Sequence, residues 1–178
     1  EGPVVRYYVI SDVHGFYTPM TDTLKRAGYF DDPQPHKLII LGDLFDRGTE
    51  APALQEFVID LIERDAVILI RGNHEDLYEE LATVDQGQPF SHHISNGTYD
   101  TALQLTGMDK WMALIHQYDF AEAAQDTPYY KRIIPAMQNY YETAHYIFVH
   151  GWIPCLRERT TYCSIGNWRK ADDNMWST

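Results

Sequence analysis

The sequence predicts an α/β fold with neighbouring parallel strands. Short runs rich in β-branched and aromatic residues alternate with segments of helical hydrophobic spacing. Each of the first three runs leads into a turn containing glycine. Residues suited to chemistry gather just past the run ends, where open α/β sheets place their ligand crevice. With 178 residues, 44% of them hydrophobic and 22% charged, the chain can bury a sizeable core, and one domain over 1–178 is expected.

Residues 4–12 read as a buried strand ahead of the turn at His14-Gly15. A helix follows, with Thr18 as its N-cap, Pro19 in first position and Gly28 as its stop. After a Pro-containing loop over 31–35, residues 37–41 form a second strand ending at Gly42-Asp43, and Leu54, Phe57, Val58, Leu61 and Ile62 mark a second helix. A third strand over 66–70 runs into Arg71-Gly72-Asn73-His74 and a helix over 75–81. Residues 85–145 break the rhythm and read as a helical elaboration over the site, with helices over 98–105 and 109–118. The last strand, 146–149, ends at His150-Gly151 and pairs as a hairpin with 139–143.

There are 14 basic and 26 acidic residues, a formal charge of −12, which argues against nucleic acid or an anionic membrane as partner. Any phosphate must be gripped locally. The apolar runs are far shorter than a membrane span needs. Cys155 and Cys163 form neither a Cys-x-x-Cys pair nor a disulfide framework and read as structural, so a reducing, cytoplasmic setting is expected.

The chemistry lies at the strand ends. Strand one delivers Asp12 and His14, strand two Asp43, Asp46 and Arg47, strand three Arg71, Asn73 and His74, and the late strand His150. Asp12, Asp43 and Asn73 recur at intervals of 31 and 30 residues, the size of a βαβ unit, so they should sit side by side on adjacent strands. Carboxylate, imidazole and amide oxygen suit two divalent ions, Mn first, with Fe, Zn or Mg as other candidates. Asp43 in the middle is the natural bridge, with Asp12 and His14 on one ion and Asn73 and His150 on the other. Two metals about 3.5–4 Å apart clamp the attacking and leaving oxygens of a phosphoryl displacement. His74 could then protonate the leaving group, with Asp46 fixing its tautomer. Arg47 and Arg71 offer planar forks for phosphate oxygens.

Together, Asp12-Val13-His14-Gly15, Gly42-Asp43-Leu44-Phe45-Asp46-Arg47-Gly48, Gly72-Asn73-His74-Glu75 and Val149-His150-Gly151 resemble the calcineurin-like metallophosphoesterases. Within that superfamily they look most like the short bacterial and phage-type members of the phosphoprotein phosphatase branch. The resemblance spans residues 8–151 and implies a dinuclear centre in a sandwich of two mixed β-sheets flanked by helices. It also implies hydrolysis of phosphate monoesters by a metal-bridging hydroxide, with a Ser/Thr phosphoprotein as first substrate. Short members carry an Arg before Gly-Asn-His-Glu, as Arg71 does here. Members usually add a later Gly-His motif that completes the second metal site, whereas no histidine follows His150, so the last strands are expected to be missing from the chain.

Two further readings accompany this one. The substrate could be a dinucleoside polyphosphate or other nucleotide recognised by 85–145, or the fold could serve as a non-catalytic scaffold with a weakened metal site. Among the remaining residues, His92 and His93 are expected on opposite faces of a solvated loop. Asn96-Gly97-Thr98 reads as a turn with an N-cap, and the Tyr129-Tyr130 and Tyr140-Tyr141 pairs read as packing residues with surface hydroxyls.

Overall fold

The computed structural model describes residues 5–158, 161–164, 168–172 and 175–176, with 155–158 and 161–164 as backbone only. The Cys155 and Cys163 side chains lie outside that description. Strands β1 (Arg6–Ser11), β2 (His36–Leu41) and β3 (Val67–Ile70) form a parallel sheet in the order β1-β2-β3, with Ile10 beside Ile40 and Ile40 beside Leu69. The central strand buries Leu38, Ile39 and Ile40 completely, as expected of a parallel strand covered on both faces.

Helix α1 (Tyr17–Arg26) buries Met20 and Leu24, and α2 (Ala51–Glu63) buries Leu54, Val58 and Leu61, one helical stripe turned to the sheet. Thr18 does not cap α1: its hydroxyl donates to Glu50, tying α1 to the turn before α2. Helix α3 (Asn73–Glu79) follows β3 directly and runs into a π-helical turn over Glu80–Val84.

The expected elaboration is helical throughout, comprising α4 (Ser91–Asn96), α5 (Thr98–Thr106), α6 (Lys110–Ile115), α7 (Gln117–Asp126) and the short α8 (Ile134–Ala136). The predicted 109–118 helix ends early because the backbone breaks at His116, between α6 and α7. Gln138 then pairs beside β3, its N–H donating to Leu69 O at 2.9 Å and its carbonyl accepting from Arg71 N at 3.0 Å.

The anticipated hairpin forms from β4 (Tyr141–Glu142) and β5 (Ile147–Phe148), and the Tyr7 and Tyr141 hydroxyls share a hydrogen bond of 2.9 Å. A second antiparallel pair joins β6 (Cys155–Glu158) to β7 (Thr161–Ser164). Alongside the parallel sheet, the described residues thus contribute two separate antiparallel ribbons. Among them Val9 stays 47% exposed, in an apolar hollow shared with Tyr7, Tyr146 and Phe148. Among the described residues no helix is long and apolar enough to cross a membrane.

The loop after β2 is fixed to the start of α3 by one buried carboxylate. Glu75 Oε2 accepts from Gly72 N at 2.7 Å and Asp43 N at 3.1 Å, and Oε1 accepts from Leu44 N at 3.0 Å and the Tyr129 hydroxyl at 3.3 Å. Burial pushes the Glu75 carboxyl above its usual range, against the three backbone N–H groups that favour the ionised form. Glu75→Gln would turn one acceptor into a donor. Tyr129 can reverse its bond to accommodate that amide, but at least one buried N–H is left unpaired. The substitution should cost about 1–3 kcal/mol, read as a lower urea midpoint at unchanged slope.

Candidate active site

Past the ends of β1 and β2 the backbone takes a conformation that L-residues rarely adopt. Asp12, His14, Asp43, Asp46 and Arg47 have φ of 51°, 50°, 50°, 75° and 67°. Non-glycine residues persist there only where the surroundings over-determine them, and such residues cluster at functional sites. Here the loops hold one another. His14 N donates to Asp43 O at 3.0 Å, Gly15 N to Leu44 O at 2.9 Å and Gly48 N to His14 O at 2.8 Å. The third loop approaches so closely that a Cβ at Gly72 would stand 2.4 Å from Asp43 Oδ1. Glycine is therefore required before Asn73 for reasons of space.

Asp43 sits at the centre, 5% exposed. Its Oδ1 accepts from His74 N at 3.1 Å and lies 3.4 Å from His150 Nε2, and its Oδ2 lies 3.7 Å from His14 Nε2. The tautomers follow from the partners of the other ring nitrogens. His150 Nδ1 can only donate to the Leu41 carbonyl at 2.8 Å, and His14 Nδ1 only to that of Phe45 at 2.9 Å. In the neutral rings both Nε2 atoms are then lone pairs aimed at carboxylate oxygen. Asn73 Oδ1 joins them, 3.2 Å from His150 Nε2. Asp12, Asp43 and His150 each offer a ligand atom within 4.8 Å of the others, and so do His14, Asp43 and His74. Lone pairs that converge on a carboxylate are a donor set that cations satisfy, and a histidine whose second nitrogen donates to a backbone carbonyl is oriented as metal ligands are. These groups pair Asp12 with His150 and His14 with His74, where the spacing put Asp12 with His14 and Asn73 with His150; Asp43 is common to both, and the donor types fit divalent ions.

Beside this cluster, His74 Nδ1 bonds Asp46 Oδ2 at 2.7 Å, as expected of an orienting carboxylate. Desolvation disfavours the imidazolium, but the Asp46 bond and the Asp43 and Asp46 charges outweigh it and hold His74 above the usual imidazole range, with Arg47 opposing. Arg47 Nη2 stands 3.4 Å from His74 Nε2, within reach of anything that nitrogen touches. Arg71 is placed differently from its expected role as a phosphate fork: its Nε and Nη2 are engaged by Asp76, and Nη2 also by Glu79.

Sequence reading missed several supports. Thr98 does not cap α5; its fully buried hydroxyl donates to Asp46 Oδ2 at 2.6 Å, and Thr101 Oγ1 accepts from Asp46 N at 3.0 Å. Their only signal was position beside the Asn96-Gly97 turn, which packs so tightly that a Cβ on Gly97 would meet Arg47 N at 2.5 Å. Gly72 stands as the N-cap of α3, so the helix begins at Asn73, two residues ahead of the expected 75–81. The Tyr129 hydroxyl is buried on Glu75 rather than at the surface. His92 and His93 lie on α4, not in an extended loop, and their ring centroids are 4.0 Å apart.

Comparison with known proteins agrees with this geometry. A family model described as calcineurin-like phosphoesterase matches residues 5–178. The chain is 33% identical over 111 residues to the asymmetrical bis(5'-nucleosyl)-tetraphosphatase of Bacillus subtilis, covering 58% of this chain and 43% of that protein. It is 38% identical over 80 residues to the symmetrical bis(5'-nucleosyl)-tetraphosphatase of Thioalkalivibrio sulfidiphilus, covering 45% and 27% of the two. To serine/threonine-protein phosphatase 1 of Salmonella typhimurium it is 30% identical over 70 residues, covering 39% and 30%. The matched stretches thus span less than half of each relative.

Thr98→Val keeps the side-chain shape and removes the donor to Asp46. Because that bond is charge-assisted and buried, the substitution should cost about 1.5–3 kcal/mol, measured by denaturant unfolding of the metal-free chain.

Proposed function

Since the chain belongs to the calcineurin-like phosphoesterase family, we propose that its strand-end site hydrolyses phosphoric ester bonds with two divalent ions held by Asp12, His14, Asp43, Asn73 and His150. The observation that carries this reading is the place of Asp43 between two imidazoles, its Oδ1 3.4 Å from His150 Nε2 and its Oδ2 3.7 Å from His14 Nε2, with Asp12 grouped beside Asp43 and His150. When bound, the ions supply Lewis-acid charge and a nucleophile at neutral pH. The chain's own residues do the rest. His74 presents Nε2 toward the cluster while Asp46 and Thr98 fix its ring, so that Nε2–H can hand a proton to the departing oxygen. Arg47 holds phosphoryl oxygens next to that proton. Arg71 is in this reading a positioning residue, pinning the loop before α3 to the acidic face of that helix.

For the substrate, a dinucleoside polyphosphate moves ahead of the phosphoprotein that the motif resemblance put first. The Bacillus and Thioalkalivibrio relatives, both bis(5'-nucleosyl)-tetraphosphatases, support this order. The Salmonella phosphatase keeps the phosphoprotein as second reading. We further propose that residues 1–178 belong to one phosphoesterase domain in which 85–145 is the elaboration that meets the substrate's non-reacting part.

His74→Asn should lower turnover about 10²–10⁴-fold with Mn(II) binding nearly unchanged, whereas Asp43→Asn should lose Mn(II) from the strand-end site. Equal loss of Mn(II) in both variants, read by equilibrium dialysis, would contradict this division of labour. With Mn(II) supplied, release of nucleotides from a dinucleoside tetraphosphate should outpace dephosphorylation of a phosphopeptide and of an aryl phosphate. A chelator should abolish all three. Faster phosphopeptide turnover would restore the phosphoprotein reading, and no Mn(II)-dependent turnover of any of the three would favour a scaffold.

A further inference from the structure

A second group of ligand-type side chains lies in the helical elaboration and shares no residue with the Asp43 centre. Glu80 begins the π-helical turn after α3, Asp85 follows that turn, and His92 and His93 come from the start of α4. Each of the four offers one ligand atom within 4.8 Å of the others. His92 Nε2 lies 3.4 Å from Glu80 Oε2, and His93 Nε2 lies 3.8 Å from Glu80 Oε2 and 3.6 Å from Asp85 Oδ2. These separations exceed hydrogen bonds, yet they approach the ~3.3 Å edge of a tetrahedron with metal–ligand bonds of ~2.0–2.1 Å.

The atoms facing inward are unsatisfied. His93 is fully buried, and neither its Nε2 nor Asp85 Oδ2 has a hydrogen-bond partner. Such orphaned atoms are rare in native interiors and call for an explanation. Two carboxylates with two neutral imidazoles carry a charge of −2, which one divalent cation cancels.

We propose that Glu80, Asp85, His92 and His93 form a structural site for one divalent transition ion of the Zn(II) class, separate from the strand-end centre. Two imidazoles and two carboxylates match that ion's borderline character and four-coordinate habit. One contact opposes the arrangement: Phe90 N donates to His93 Nδ1 at 3.2 Å, which puts the ring proton on Nε2. Ligation through Nε2 moves that proton to Nδ1 and gives up the bond. The cost is that bond together with two facing donors, Phe90 N–H and Nδ1–H, and the desolvation of each one left unpaired, whereas coordination by four protein ligands is worth several times more.

The site would act as a clamp. Glu80 directly continues the helix that carries His74 and Glu75, and α4 leads into Gly97-Thr98, which packs on Asp46 and Arg47. One ion would tie both supports of the His74–Asp46 pair together.

The test uses the full chain carrying Asp43→Asn, which removes the strand-end centre, titrated with Zn(II) alone. One ion per chain should bind, and Co(II) should give the intense visible absorption of a tetrahedral site. His92→Ala and Glu80→Gln, each added singly, should weaken Zn(II) binding at least about tenfold and abolish the cobalt spectrum. Both side chains are about two-fifths exposed, which makes folding of the variants safe to expect, and matching metal-free circular dichroism separates ligand loss from misfolding. Absence of Zn(II) binding by Asp43→Asn, or unchanged affinity in both double variants, overturns the proposal. Neither result bears on whether the strand-end site hydrolyses phosphoesters.

Discussion

A single buried carboxylate sets the geometry on which the site depends. Glu75 gathers the backbone N–H groups of Asp43, Leu44 and Gly72, joining the loop after β2 to the loop after β3. Parallel strands leave those loops side by side but do nothing to fix their spacing, since ladder hydrogen bonds end where the strands end. Without Glu75, Asp43 would face Gly72 with unpaired amides on both sides. With it, the loops close until only glycine fits at position 72, and Asp43 Oδ1 then sits where His74 N can reach it. The burial cost of the carboxylate is offset in part by three backbone donors and the Tyr129 hydroxyl, and Tyr129 stacks edge-on against Phe45 and Tyr78 in the core.

The left-handed conformations at Asp12, His14, Asp43, Asp46 and Arg47 belong to the same economy. With them Asp12 and His14 each come within ligand reach of Asp43, and Asp46 and Arg47 flank His74. None would be kept by a free loop, because an extended or helical backbone is available at lower energy. They persist because the first two loops bond each other through His14, Gly15 and Gly48, and because α5 covers Asp46 with Thr98 and Thr101. The helical elaboration thus does more than cover the sheet, since it completes the hydrogen bonding of the residue that orients His74.

Much of this was legible in the sequence, and the reasons are specific. The three strand-loop-helix units announced themselves by period and spacing, and the near-equal intervals between Asp12, Asp43 and Asn73 predicted their convergence. The pairing of His74 with Asp46 followed from residue type once the strands were placed. What stayed hidden depended on tertiary contact without a local pattern. Thr98 looks like a cap because caps are what threonine after Asn-Gly usually makes, and only the approach of α5 to the second loop turns it toward Asp46. Tyr129 has no sequence relation to Glu75, 54 residues away. Arg71 looked free because Asp76 and Glu79 reach it only when residues 73–79 coil into α3. His92 and His93 were read with strand alternation, and a six-residue helix brought their rings together instead.

Charge ties these parts to the chemistry. A chain at −12 repels a polyphosphate at long range, so affinity must arise where that field is locally reversed. Arg71 cannot reverse it while Asp76 and Glu79 cancel its charge. Among the described residues that leaves Arg47 as the cation beside His74, and the proposed ions would neutralise Asp12 and Asp43. Arg47, with Nη2 3.4 Å from the Nε2 of a histidine held above its usual range, would in the proposed reaction grip phosphoryl oxygens while that histidine yields a proton. Each alone would make a binding site. Their adjacency, enforced by Asp46 on one side and the Gly97 turn on the other, would suit the same site to bond cleavage.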